Sequence, residues 1–251
     1  MSPNGAIVNS PSISSNRPER AIYRIMTRVA ARQGIWVWAI AIAVTATIPL
    51  VVDHYGGEPM SVFSTAVQGP RWYLFVTILV VTAASIGPSV AQGMTRRAFV
   101  RELGSAGLVT GVGFGVVAGL VHVAEHALHL ARGWPHISVY GGRPVPTEPW
   151  WLILLDHAVV LVVVALSGLA VAAVYYRWRG WLGTLALPLT AGPVFVVPAL
   201  LDHVEPVELG TALDEIGYPF GLALSLGTAA ALWAAAHLAL RGAPVRPSPL
   251  T

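Results

Sequence analysis

Six long apolar runs constrain what this chain of 251 residues can fold into. They cover approximately residues 35–52, 72–92, 105–130, 150–176, 181–201 and 217–240. About 20 apolar residues in a helix span the roughly 30 Å hydrocarbon core of a bilayer. Charged residues make up only 11% of the chain, against roughly 25% in soluble domains. The sequence therefore predicts an all-α polytopic membrane protein with six transmembrane helices. Five or seven spans are the alternative, if the proline-containing run 181–201 is re-entrant.

A basic segment precedes the first apolar run. Arg20, Arg24, Arg28 and Arg32 are spaced by four, with apolar residues on the other faces. This spacing predicts an amphipathic helix over 19–33 that lies along the membrane surface, and an ordinary basic flank of the first span is the alternative. Residues 1–18 are rich in Ser, Pro and Asn and are expected to form a disordered cytoplasmic tail. The membrane domain is then 19–240, followed by a short cytoplasmic tail at 241–251.

The arginines predict the orientation of the spans. Alternating the six spans from a cytoplasmic start leaves only Arg71, Arg132 and Arg143 outside, and the other twelve of the 15 arginines inside. Cationic flanks resist translocation, so this bias places both termini in the cytoplasm. Most acidic residues fall in or beside the outer segments, which agrees with this orientation.

Two residue types are missing, and their absence excludes several chemistries. The chain has no cysteine, so it has neither a disulfide nor a thiolate metal site. It also has no lysine, so a P-loop with its phosphate-binding lysine is excluded. Any ATP chemistry must therefore come from another subunit.

The segment between the second and third runs is short and basic. It reads AQGMTRRAFVRELG over residues 91–104. Thr95 is suited to cap a helix whose first turns expose arginines while Phe99 and Val100 offer an apolar face to a partner protein. Composition alone favours the simpler interpretation of a positively charged inner loop with no partner.

This G-x-T-R-R-x-F stretch after the second of six spans, with a basic amphipathic helix before the first, resembles the membrane subunits of type-2 ATP-binding-cassette exporters. The likeness is to small permeases of GC-rich bacteria. In that family the leading helix is the elbow, and the loop after the second span is the coupling helix that sits in a cleft of the ATPase. The resemblance implies ATPase coupling through Gly93, Thr95, Arg96, Arg97, Phe99 and Arg101.

The resemblance also implies function and partners. The chain is expected to be a non-enzymatic permease subunit in the bacterial cytoplasmic membrane that exports an amphiphilic or hydrophobic substrate, such as a drug, antibiotic, lipid or peptide. ATP and Mg²⁺ would be bound by a separate ATPase subunit, and no cofactor by this chain. A second permease, identical or paralogous, and membrane lipid are the other expected partners; nucleic acid is not.

Ionisable residues gather in the third run in the pattern H-x-x-E-H. His122, Glu125, His126 and His129 follow i, i+3, i+4, i+7 spacing, so all four line one helix face. Other ionisable residues fall at a similar predicted depth in the outer half of the membrane: Asp156, His157, Asp202 and His203. Charged groups there are costly, so these side chains are expected to face one another or a wet cavity.

Several interpretations of this polar cluster stay open. The side chains suit a polar lining or outer gate of an export path, or a structural set of hydrogen bonds that holds helices in register. His122, Glu125 and His126 also suit a divalent metal such as zinc. H-x-x-E-H is also the inverted zinc-peptidase motif, in which Glu125 would be the general base. Apart from this motif, no catalytic residue is expected in the chain. A membrane metal-binding protein or metallohydrolase is therefore the alternative function.

Glycines recur at every fourth position of the third run, at Gly107, Gly111, Gly115 and Gly119. Such a stripe lets another helix approach closely. Internal packing is the favoured interpretation, and a contact between two permeases is the alternative.

Overall fold

The computed structural model describes residues 17–135, 137, 149–178, 180–201, 217–241 and 243. Nine helices are assigned within these residues: α1 (Arg17–His54), α2 (Phe63–Ala66), α3 (Gln68–Ala91), α4 (Arg96–Arg132), α5 (Trp150–Arg177), α6 (Trp181–Leu185), α7 (Leu187–Thr190), α8 (Pro193–Leu200) and α9 (Tyr218–Arg241). The predicted all-α fold is confirmed over this part of the chain.

Five helices in the described residues are long and apolar enough to cross a membrane. They are Ile22–His54, Phe63–Ala91, Arg96–Arg132, Trp150–Arg177 and Tyr218–Arg241. This architecture agrees with the predicted polytopic membrane protein. The predicted tails 1–18 and 241–251 lie almost wholly outside the described residues and stay predictions.

The helix α5 lies at the centre of the bundle. In its most apolar 18-residue stretch, 89% of the residues are buried. In the other long helices of the described residues, the buried share of the corresponding stretch is 50% or less. The run Val159–Val164 and the residues after it are apolar on every side, and a helix that is hydrophobic all round is a core helix. The helices α3, α4, α8 and α9 surround it.

The glycine stripe packs α4 against α5. A Cβ placed on Gly115 would lie 2.3 Å from Cα of Ala158, and one on Gly111 would lie 2.7 Å from Cα of Val162. Only glycine permits such close backbone approach. The favoured interpretation of internal packing is confirmed for these glycines.

The two ends of the bundle differ in charge. At one end the N-termini of α5 and α9 meet, since Tyr218 hydrogen bonds to Asp156; at the other end their C-termini meet, since Arg177 donates to the carbonyl of Leu238. We call the first the acidic end; it holds Asp53, Glu125 and Asp156. We call the second the basic end; it holds Arg97, Arg101 and Arg177.

The predicted elbow does not form a separate helix. Residues 19–33 continue without a break into the first apolar run, as the single 38-residue helix α1. No proline lies near Gln33, and the single Gly34 lowers helix propensity by only about 1 kcal/mol, which the helix tolerates. A surface-lying elbow is therefore not confirmed.

The predicted fifth span at 181–201 is not a single long helix. It is divided into α6, α7 and α8, with Pro188 and Pro193 at the starts of the second and third pieces. Proline lacks the N–H that would continue an existing helix, which explains the breaks. The segment begins against α5, where Tyr175 contacts Gly183, and ends against Gly221 in α9. It thus extends from the basic end to the acidic end.

The predicted coupling segment is part of a span and not a separate short helix. The helix α4 starts at Arg96 and continues for 37 residues, so it absorbs most of 93–104 and the predicted third span. The predicted second span begins earlier than expected, at Gln68, whereas the spans predicted at 150–176 and 217–240 match α5 and α9 to within one residue.

Candidate functional site

The polar face of α4 lies at the acidic end of the bundle, as its spacing predicts. His122, Glu125 and His129 are buried and His126 is half-buried, so the four residues share the inward side of the helix. Buried ionisable groups in an apolar bundle are costly unless they have partners. The partners of each side chain therefore determine what the cluster can do.

Glu125 binds the segment that leads into α2. One carboxylate oxygen accepts a hydrogen bond from Ser61 Oγ at 2.7 Å, and the other accepts from the backbone N–H groups of Val62 at 2.8 Å and Phe63 at 3.1 Å. The first N–H groups of a helix have no partner inside it, and a carboxylate is a suitable acceptor. Glu125 thus fixes the start of α2 to α4 from a distance of more than 60 residues in the chain.

Three rings pack together beside Glu125. Phe63 stacks on His122 with centroids 4.9 Å apart, and His157 lies 5.3 Å from Phe63. The two histidines meet edge to face at 5.4 Å. His157 Nδ1 is 2.8 Å from the carbonyl oxygen of Ile153 one turn earlier, which fixes the orientation of its ring. The expectation that α4 and α5 bring their ionisable groups together is confirmed for His122 and His157.

Asp156 links α5 to α9. Tyr218 donates its hydroxyl hydrogen to Asp156 Oδ1 at 2.6 Å, and the aspartate side chain is fully buried. The guanidinium of Arg71 in α3 is also buried and donates to the carbonyl of Val194 in α8. The sequence placed Arg71 in an outer segment, whereas the structure buries it in the bundle. The first bond joins α5 to α9, and the second joins α3 to α8.

The outermost layer of the acidic end is a smaller network. His129 Nδ1 lies 3.1 Å from the carbonyl oxygen of Pro135, and its ring meets Trp134 edge to face at 5.5 Å. Trp134 Nε1 in turn donates to Asp53 at 3.1 Å, and Arg132 lies 3.8 Å from the same carboxylate. The C-terminal ends of α1 and α4 are joined by these contacts.

A metal centre is the alternative that these contacts bear on most directly. Among the described residues, no three His, Cys, Asp or Glu side chains are grouped so that they could hold a metal ion. Both oxygens of Glu125 already accept hydrogen bonds from the segment before α2. Asp202 and His203 lie outside the described residues. Zinc binding by His122, Glu125 and His126 therefore stays a prediction.

The start of α4 forms the other candidate site, at the basic end. Gly93 adopts a positive φ of 87°, which turns the chain after α3, and Thr95 Oγ1 accepts a hydrogen bond from Ala98 N at 3.3 Å. The predicted Thr95 cap is thus confirmed. Arg97 and Arg101 are exposed, and Arg101 forms an ion pair at 3.4 Å with Glu102.

One expectation about this segment is wrong. Phe99 and Val100 were expected to face a partner, but Phe99 is fully buried and Val100 is 1% exposed in the core of this chain. The helix is already docked on the rest of the bundle at this point, so its apolar side is occupied. Phe99 is the buried member of the predicted coupling set; Arg96 is half-buried, and the other members, Gly93, Thr95, Arg97 and Arg101, are exposed.

Sequence reasoning did not identify Ser61, Phe63 or Tyr218 as members of the acidic-end cluster. Each reaches it over more than 50 positions, and no local periodicity marks such a contact. Trp233 and His237 were likewise not connected with the start of α4, although they share a cavity with it.

The chain was compared with protein families, curated proteins and solved structures. No family model, no curated protein and no solved structure matches it.

Proposed function

We propose that this chain is the membrane permease subunit of an ATP-binding-cassette exporter and that a separate ATPase binds its basic end. The observation that carries the proposal is the start of α4. There a Thr95-capped helix presents Arg97 and Arg101 to solvent directly after the turn at Gly93. Exposed arginines on a fixed helix end suit a contact with an acidic protein surface.

The proposed orientation places the basic end in the cytoplasm. Arg24, Arg28 and Arg32 are exposed on α1, and this part of the helix lies beside the end of α3, where Ile22 and Gln92 border the same cavity. Arg177 and Arg241 end the two parallel helices α5 and α9 at this end as well. Clustered arginine favours the cytoplasmic side, so both termini would lie there.

A sixth crossing is part of the proposal. The segment 181–201 extends between the two ends of the bundle, and its three short helices pack on α5. Broken helices are tolerated at membrane depth where protein packs around them. With this segment the permease would have six crossings, five of them by long helices.

The transport path is proposed to lie between two permeases and not within one. The central helix α5 fills the middle of the bundle, so this chain alone leaves its core occupied. Two copies, or this chain and a paralogue, would enclose a path lined by their outer faces. Those faces carry exposed apolar side chains such as Val109, Val112 and Leu120, which suit an amphiphilic or hydrophobic substrate.

The helix α4 provides a mechanism for coupling. It continues without proline from Arg97 to Glu125, a separation of about 42 Å at 1.5 Å per residue. An ATPase movement applied at Arg97 would therefore displace Glu125 at the opposite end. Glu125 binds Ser61 and the start of α2, so this displacement would move the outer segment and open or close the acidic end. When the acidic end opens, its polar lining would consist of His122, His126, His129, Asp156, His157, Asp202 and His203.

The proposal is tested by reversing charge at the basic end. The double variant Arg96→Glu with Arg97→Glu is expected to abolish copurification of a Mg²⁺-dependent ATPase from native membranes and to abolish export. Arg132→Gln is the control at the acidic end; it removes only a 3.8 Å ion pair with Asp53 and should keep ATPase copurification. Thermal unfolding of each purified permease shows whether its fold is intact. Full ATPase recovery with the folded double variant would refute the proposal.

A further inference from the structure

A cavity of about 460 Å³ opens at the basic end between α4 and α9. The first turns of α4 and the last turns of α9 form its walls. The residues that line it are Thr95, Arg97, Ala98, Arg101, Trp233 and His237. Its size is in the range of small-molecule sites, at the lower end of roughly 300–1,000 Å³.

The walls of the cavity are fixed by packing deeper in the bundle. The indole of Trp233 lies against Gly104, where an added Cβ would come within 2.6 Å of the ring. The end of α9 is held by Arg177, which donates to the carbonyls of Leu238 at 3.0 Å and Ala239 at 3.2 Å. The space between the helices is therefore formed before any ligand arrives.

The lining is basic. Arg97, Arg101 and His237 border the cavity, and no acidic residue is among the described residues that line it. Glu102 is the nearest carboxylate in sequence and pairs with Arg101 at 3.4 Å. Two guanidinium groups with a neighbouring imidazole form a suitable set of donors for a phosphate group.

We propose that this cavity binds the phosphate of an anionic phospholipid. It lies at the ends of two membrane-crossing candidates, at the level where headgroups border the hydrocarbon. Trp233 lines the cavity and Leu238, which follows His237 on α9, is 62% exposed, so apolar surface for an acyl chain lies on the same turns of α9 as the basic lining. A soluble phosphate would leave that surface unused, which favours the lipid. This inference does not depend on the proposed function, only on insertion in a membrane.

The test is a titration of purified permease in detergent with phosphatidylglycerol, read by native mass spectrometry. The double variant Arg101→Gln with His237→Gln keeps Arg96 and Arg97 and is expected to bind this lipid at least about tenfold more weakly, roughly 1.4 kcal/mol. The matched control is Arg96→Gln with His54→Gln, which replaces one arginine and one histidine that do not line the cavity. It should bind like the unchanged protein.

Three outcomes would overturn the proposal. The first is equal phosphatidylglycerol affinity for the cavity variant and the control. The second is binding of phosphatidylcholine as tight as that of phosphatidylglycerol, because the basic lining would then not select the charge. The third is displacement of the lipid by millimolar inorganic phosphate, which would assign the cavity to a soluble anion. If the double variant fails to fold, the exposed Arg97→Gln replaces it, with Arg96→Gln as control.

Discussion

Replacing Gly115 by alanine is expected to destabilise the bundle more than the same change at any other glycine of the α4 stripe. The added Cβ would lie 2.3 Å from Cα and 2.6 Å from N of Ala158, and both atoms belong to the backbone of the central helix. The helices would have to separate by about 1 Å to restore ordinary contact. Overpacking of this kind costs about 1–3 kcal/mol.

Gly113 supplies the matched control in the same helix. Its added Cβ meets no atom within 4 Å, so the alanine variant should gain up to about 1 kcal/mol from higher helix propensity. The two variants should therefore differ by about 1–4 kcal/mol. Thermal unfolding in detergent would report this as a lower midpoint for Gly115→Ala, on the order of 5–10 °C. Equal midpoints would refute the close contact between α4 and α5.

Two further predictions concern the acidic end. Glu125→Gln replaces a carboxylate that accepts three hydrogen bonds by an amide that also donates. The variant should release Ser61 and the start of α2 and lower the free energy of unfolding by about 2 kcal/mol. Faster hydrogen exchange over residues 59–66, with exchange in α9 unchanged, would show this release, and unchanged exchange over 59–66 would contradict it. Tyr218→Phe removes the 2.6 Å hydrogen bond to buried Asp156 and should lower the midpoint of thermal unfolding. Tyr73→Phe loses only hydrogen bonds of 3.4 Å and should leave the midpoint unchanged. Similar midpoints for the two variants would count against the Asp156 contact.

Features with a helical period could be predicted from the sequence. The inward face of His122, Glu125 and His129 follows from spacing alone, because residues three, four and seven apart lie on one side of a helix. The glycine stripe follows in the same way, and the unbroken apolar run 150–176 predicted the long helix α5. Each of these signals is contained within one helix.

Helix ends and the side of a helix that contacts a partner were predicted less well, because different structures share the same local sequence pattern. The run 181–201 was predicted to be one span, with a re-entrant segment as the alternative because of its prolines, and Pro188 and Pro193 lie where it divides into short helices. The arginine spacing over 19–33 predicted a separate surface helix, with a basic flank of the first span as the alternative, and α1 continues through Gln33 without a break. Burial of Phe99 also had no local signal, because an apolar face looks alike whether it packs on its own chain or on a partner.

Contacts between distant segments explain what remained hidden at the acidic end. A polar lining, a metal ligand and a structural set of hydrogen bonds were the open interpretations of Glu125, and in the structure its carboxylate holds the first N–H groups of α2. This contact changes the meaning of the polar face, because a group that fixes a segment also transmits any movement of its own helix to that segment. The tight backbone contact at Gly115 restricts how α4 can bend against α5, so a displacement imposed at Arg97 would reach Glu125 mainly as movement of the whole helix. The proposed coupling between the two ends therefore requires α4 to move as one body.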